Sequence, residues 1–165
     1  MEYIEGQKIL ILGVGNILLS DEGFGVQAVN WLQNNYQWPK YIELLDGGTQ
    51  GFMLIPHIQS CDILIVLDIV LGQEKAGTTY LLEGNDIRKS FSFHDSMHQT
   101  DLLDTLFNCE LINSKPQTIV FGFEPFDYKT FNPEITTNSQ KLLPQYCSKI
   151  ISWFENELKI KIKSK

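Results

Sequence analysis

Three side chains able to bind a metal ion occur where apolar runs end or helices begin: Glu22, Asp68 and His98. Glu22 follows the apolar residues 9–14, Asp68 interrupts the run ILIVLDIV, and His98 precedes a segment with helical spacing. A charge inside so apolar a run must be paired, hydrogen-bonded or metal-bound, because burying it alone is unfavourable. Two carboxylates and one imidazole form a mixed oxygen and nitrogen ligand set. Such a set suits zinc, nickel, iron or manganese and leaves coordination positions open.

Each of these residues also has an ordinary structural interpretation. Asp68 can cap a loop, Glu22 can interact with the positive end of a helix dipole, and His98 can simply lie in a first helical turn. His94 and His98 have the i, i+4 spacing of zinc proteases, but the segment HDSMH lacks the glutamate of that motif. We expect His57 to be structural. Spacing alone leaves the metal-binding and the structural interpretations open.

A glycine turn at residues 13–15 raises the possibility of a phosphate ligand, since such turns often precede an anion-binding helix. Asp46 at the end of the second predicted strand would fit a dinucleotide site. However, Leu18 stands where the third glycine of that motif belongs, and Asp21 and Glu22 would repel a pyrophosphate. The sequence also contains no GxSxG elbow and no P-loop. The acidic pair therefore favours cation binding over nucleotide binding.

Hydrophobic periodicity predicts the elements that must position these residues. We expect strands at 8–14, 41–45, 62–70, 78–83 and 118–123, and helices at 20–36, 51–58, 98–107 and 134–159. Ser20 is expected to cap the first helix, and Pro144 to kink or interrupt the last one. Asp46 lies in the turn DGGT, where it could act as a base or simply form an Asx-turn.

Strands that alternate with helices predict one α/β domain over residues 1–165. We expect three layers, with a twisted, mainly parallel sheet of about five strands and helices on both faces. Ligands of such folds bind beyond the carboxyl ends of the strands, at a point where the strand order reverses. Glu22, Asp46 and Asp68 all follow or end predicted strands, so this edge of the sheet is the expected site.

Composition narrows the functional classes further. The formal net charge of −7 argues against a nucleic-acid partner, and the short apolar runs argue against membrane insertion. Three widely spaced cysteines and an acidic start without a signal-peptide pattern predict a cytoplasmic protein with free thiols. The basic tail KIKIKSK is expected to be a frayed terminus.

Four segments together closely resemble the hydrogenase maturation proteases: GVGNILLSDEGFGVQAV, LLDGGTQG, ILIVLDIV and HQTDLLDTL. Members of that family are endopeptidases that trim the C-terminus of the large subunit of nickel–iron hydrogenases. The resemblance extends from Lys8 to Trp153, and the later FGFEP segment is most similar to the branch that serves uptake-type hydrogenases.

The resemblance implies a function, a partner and a set of site residues. Glu22, Asp68 and His98 would bind nickel, and Asp46 would take part in peptide cleavage. The nickel would be the ion already inserted in the large-subunit precursor, so neither a permanent metal nor an organic cofactor is expected, and we expect a monomer. Two other functions stay open: a nickel carrier without hydrolytic activity, and a nucleotide-binding regulator that uses the GVG turn.

Overall fold

Mainly apolar runs form the central strands of one sheet. The computed structural model describes residues 3–87 and 116–165. Its strands are β1 (Ile9–Val14), β2 (Tyr36–Gln37), β3 (Ile42–Gly48), β4 (Ile63–Ile69), β5 (Thr79–Glu83), β6 (Gln117–Phe123) and β7 (Lys163–Ser164). Its α-helices are α1 (Phe24–Asn35), α2 (Ile55–Gln59) and α3 (Thr137–Asn156). The 3-10 helices Ser20–Gly23 and Gly51–Leu54 lead directly into α1 and α2.

The main sheet has the strand order β3-β1-β4-β6-β5. All neighbouring pairs are parallel except β5 with β6, so the one antiparallel strand lies at an edge. The chain passes from β1 outward to β3 and then crosses to the other side of β1 to form β4. The strand order therefore reverses between β1 and β4, which is where this class of fold binds its ligands.

Two apolar layers cover the sheet, one on each face. Alternate residues of a strand point to opposite faces, so Ile9 and Ile11 pack with α1 and α3, whereas Leu10 and Leu12 pack with Leu54 and the α2 region. All residues of β1 and β4 are buried, because helices lie on both sides of them. The predicted three-layer α/β architecture with a mainly parallel sheet is confirmed.

The structure corrects the expectation for Ser20, and for Pro144 it contradicts an interruption of the helix. Ser20 does not cap a helix: it opens the 3-10 helix with a positive φ of 48°, and α1 begins only at Phe24. Pro144 does not interrupt α3, which runs from Thr137 to Asn156 with the proline inside it. The helix continues because its apolar face is buried on both sides of the proline, and one lost backbone hydrogen bond does not outweigh that burial. Within the described ranges no helix combines the length and apolarity needed to cross a bilayer.

The C-terminal tail is ordered by pairing rather than frayed, contrary to expectation. β7 pairs in antiparallel fashion with β2, through Tyr36 with Ser164 and Gln37 with Lys163. Ile160 and Ile162 just before it are buried, with exposed fractions of 6% and 7%. The alternation of lysine and isoleucine is itself a period-two strand pattern, with the isoleucines on the buried side.

We expect Ile162→Ala to lower the free energy of unfolding by about 2 kcal/mol, because it removes buried apolar volume under the β2–β7 ribbon. Urea unfolding followed by circular dichroism measures this change. Lys161→Ala is the matched control, since its exposed side chain points away from the core. Equal stability of the two variants would show that the ribbon does not help to close the apolar layer.

Candidate functional site

Sheet register brings two of the predicted acids to the same edge. Gly13, near the end of β1, pairs with Asp46 of β3 on one side and with Leu67 of β4 on the other. Asp68 directly follows Leu67. Because all three strands are parallel, Asp46 and Asp68 both lie at the carboxyl edge of the sheet and flank β1, as predicted.

Glycines allow the segment that carries Glu22 to approach this edge closely. A side chain at Gly25 would collide with the carbonyl oxygens of Val14 and Leu67, at the ends of β1 and β4. A side chain at Gly15, which has a φ of 137°, would collide with the carbonyl oxygen of Glu22. The glycines of the turn therefore serve close backbone packing, and Glu22 lies over the point where the strand order reverses.

Both predicted acidic ligands are withdrawn from solvent. Glu22 is 4% exposed and Asp68 is 0% exposed, and the atoms Glu22 Oε1 and Asp68 Oδ2 are completely shielded. The other oxygen of Asp68, Oδ1, accepts a hydrogen bond of 2.8 Å from the Ile69 backbone N–H. Two buried carboxylates at a ligand-binding edge are a donor set suited to a divalent cation.

The third predicted ligand cannot be placed with them. His98, together with His94 and the predicted helix 98–107, lies outside the described residues. Within residues 3–87 and 116–165, no group of three or more histidine, cysteine, aspartate or glutamate side chains is arranged to hold a metal. His57 lies on α2 with its Nδ1 3.2 Å from Glu43 Oε1, which agrees with a structural interpretation.

Asp46 occupies a different environment from Asp68. It is exposed, and its Oδ1 accepts a hydrogen bond of 3.1 Å from the Gly48 N–H, which is the Asx-turn that the sequence allowed. Strand alternation puts Asp46 on the face of Ile42 and Leu44, opposite the face of Asp68. The structure thus brings Asp46 to the same edge but not to the same side of the sheet.

Asp21 and Glu22 are adjacent in the sequence but have different environments. Asp21 is fully buried, and it accepts backbone hydrogen bonds from Phe126 (2.9 Å), Asp127 (3.2 Å) and Thr136 (2.8 Å). The Thr136 hydroxyl donates a further one of 3.1 Å. Asp21 therefore ties the 3-10 helix that carries Glu22 to the segment that leads into α3. In the sequence Asp21 and Glu22 form one acidic pair, and the separate structural role of Asp21 was not predicted.

Aromatic packing fixes the same helix start to the end of β6. The rings of Phe24 and Phe123 stack with centroids 3.8 Å apart and an interplanar angle of 8°. Tyr146 of α3 packs edge-on against Phe24 and donates a hydrogen bond of 2.6 Å to the Phe121 carbonyl. Complete burial, with smaller contributions from Cys147 and Asp68, raises the pKa of Tyr146 well above its usual value, so the hydroxyl stays a donor.

A further buried acid at this edge, Glu124, was not predicted as a site residue. Glu124 follows β6 directly, is 7% exposed, and accepts hydrogen bonds through Oε2 from the Tyr80 hydroxyl and from the Gly72 N–H (2.8 Å). Burial raises the pKa of Tyr80, and the hydrogen bond to Glu124 raises it further. The available signal was an acid placed directly after an apolar strand, whereas Asp68 was identified because it lies inside an apolar run.

Both the family profile and the similar sequences that match this chain are proteins of hydrogenase maturation. Residues 26–153 match the sequence profile described as hydrogenase maturation protease. Hydrogenase expression/formation protein HoxM of Azotobacter vinelandii is 37% identical over 126 residues, 75% of this chain and 61% of that protein. Hydrogenase expression/formation protein HupD of Bradyrhizobium diazoefficiens is 34% identical over 134 residues, 80% of this chain and 70% of that protein.

A solved structure shows the same architecture along nearly the whole chain. The hydrogenase maturating endopeptidase HybD from E. coli superimposes with a TM-score of 0.87 at 28% identity, over 96% of this chain and 98% of that one. By sequence, the match to HoxM spans 61% of that relative's length, which is less than two thirds.

Proposed function

Because the chain belongs to the hydrogenase maturation protease family, we propose that it is an endopeptidase acting on the large-subunit precursor of a nickel–iron hydrogenase. It removes the C-terminal extension after nickel has been inserted. The observation that carries the proposal is the pair of buried carboxylates, Glu22 and Asp68, where the strand order reverses. His98 is proposed as the third ligand.

The proposed nickel ligands of this protein do not fill the coordination sphere of the metal, and this would let the protein select precursor that carries nickel. Glu22, Asp68 and His98 would supply three donors to the nickel of the precursor and leave the remaining positions to groups of the precursor itself. A precursor without nickel would offer nothing to these ligands, and the buried carboxylates would disfavour an apolar or anionic segment in their place. Cleavage would therefore wait for metal insertion.

Hydrolysis adds water across the scissile amide bond. It leaves a new carboxylate on the large subunit and a free amine on the released extension. We propose Asp46 as the base that accepts the proton of the attacking water, since its exposed carboxylate at the strand edge is accessible to a bound peptide. The substrate's nickel can in addition polarise the scissile carbonyl as a Lewis acid.

We further propose that the protein works in the cytoplasm as a monomer, on a hydrogenase of the uptake type. The similarity to HoxM and HupD supports the choice of hydrogenase, and the cysteine pattern supports a reducing compartment.

The proposal is tested by incubating the protein with nickel-loaded and nickel-free forms of a large-subunit precursor and measuring the products by mass spectrometry. We expect loss of the C-terminal extension from the nickel-loaded form alone. An intact nickel-loaded precursor would contradict the proposal. If nickel had then moved between the two proteins, the result would favour the alternative function of a nickel carrier that uses the same carboxylates.

A further inference from the structure

Glu124 lies next to the candidate site through the register of β4 and β6. Asp68 pairs with Gly122, and paired residues of neighbouring strands share a face, so Glu124, two residues further along, lies on the face of Asp68. The Val70 N–H donates a hydrogen bond of 2.9 Å to the Phe123 carbonyl. The chain therefore leaves β4 alongside the residue that precedes Glu124.

Glu124 holds both ends of the connection between β4 and β5, residues 70–78. Its carboxylate accepts the Gly72 N–H near the start of the connection. Near the end, its backbone N–H donates to the Thr78 carbonyl, and its carbonyl accepts from the Gly77 N–H, both at 2.8 Å. One buried residue thus fixes a segment that begins two positions after Asp68.

Tyr80 completes this arrangement from β5. It pairs with Gly122, so Asp68, Gly122 and Tyr80 lie in one row across three strands. A side chain at Gly122 would come within 3.2 Å of the Tyr80 Cβ, and one at Gly72 would collide with the Tyr80 ring. The missing side chain at Gly72 therefore lets the phenol reach Glu124 beneath the connection, and the missing side chain at Gly122 leaves room for Val70 and Tyr80.

We propose that Glu124 and Tyr80 are positioning residues, which hold residues 70–78 as a wall beside Asp68 against which the C-terminal segment of the precursor binds. The inference rests on the proposed function. A segment that the precursor must contact needs a fixed position, because ordering that segment during binding would reduce the affinity for the precursor. The connection contributes few apolar side chains to the core, so these polar contacts determine where it lies.

The test compares substitutions that differ in one hydrogen-bonding property. Glu124→Ala removes the acceptor of both hydrogen bonds, and Tyr80→Phe removes one donor. Glu124→Gln removes the charge but keeps a side-chain oxygen that can accept both. Tyr41→Phe is the matched control, because Tyr41 lies at the opposite, amino edge of the sheet, where its carbonyl accepts the Ile9 N–H.

With nickel-loaded precursor, we expect Glu124→Ala to raise KM roughly 10-fold with little change in kcat, Tyr80→Phe to raise it less, and Glu124→Gln to stay near the wild type. Deuterium exchange of residues 71–78 should speed up in the same order. An unchanged KM for Glu124→Ala, or equal losses for Gln and Ala, would overturn the inference while the proposed function stands. Wild-type protein that leaves the precursor intact would overturn both.

Discussion

Asp68→Asn should lower kcat/KM for nickel-loaded precursor by at least ~100-fold while the protein keeps its fold. Substituting a residue that only hydrogen-bonds to a metal ligand typically costs about 10- to 100-fold in metal affinity or activity, and loss of a ligand itself should cost more. The asparagine has nearly the same shape, and its side-chain oxygen can still accept the Ile69 N–H. What disappears is the negative charge at a site shielded from water, where charge interactions are strong. Processing is measured by quantitative mass spectrometry of the cleaved C-terminus.

Glu22→Gln should produce the same defect, since both carboxylates are proposed to contact one ion. His98→Gln extends the test to the third predicted ligand. The control is Glu134→Gln, which removes a charge from an exposed side chain and should leave processing unchanged. Complete processing by Asp68→Asn or Glu22→Gln protein would show that these buried carboxylates do not recognise the substrate's nickel.

Asp21→Ala should affect folding rather than metal recognition. We expect it to lower the free energy of unfolding by about 3 kcal/mol, because a buried acceptor of several hydrogen bonds is lost. The N–H groups of Phe126, Asp127 and Thr136 would all lose their acceptor. Equilibrium unfolding in urea measures the effect, with Glu22→Gln as the adjacent comparison. A stable Asp21→Ala protein without processing activity would instead place Asp21 in the chemistry and contradict the division of tasks between the two acids.

The sheet was predictable because its signals are local and strong. β1 and β4 are aliphatic runs, and a charge inside such a run, as at Asp68, needs a specific environment wherever the chain folds. The carboxyl-edge placement of Asp46 and Asp68 followed from the alternation of strands and helices, which predicts a mainly parallel sheet. The expected three layers are therefore present, with the acids at the expected edge.

The features that were missed depend on distant parts of the chain. Asp21 and Glu22 are adjacent and chemically alike, and only the segment around Thr136, more than a hundred residues away, separates their tasks. The β2–β7 ribbon joins two strands of two residues each, too short for a clear periodic signal. Glu124 gains its importance from Tyr80 and Gly72, neither of which stands out in the sequence.

The close contact of Gly25 with the ends of β1 and β4 affects which substitutions this architecture can accept. Main chain touches main chain there, so the spacing of the acids across the crossover is set without any intervening side chain. Aliphatic residues of the interior can be exchanged for others of similar volume without shifting that spacing. Both hydrophobic layers of this protein could accordingly be redesigned with residues of similar volume while the spacing of the acids is kept, provided that Gly15 and Gly25 are retained.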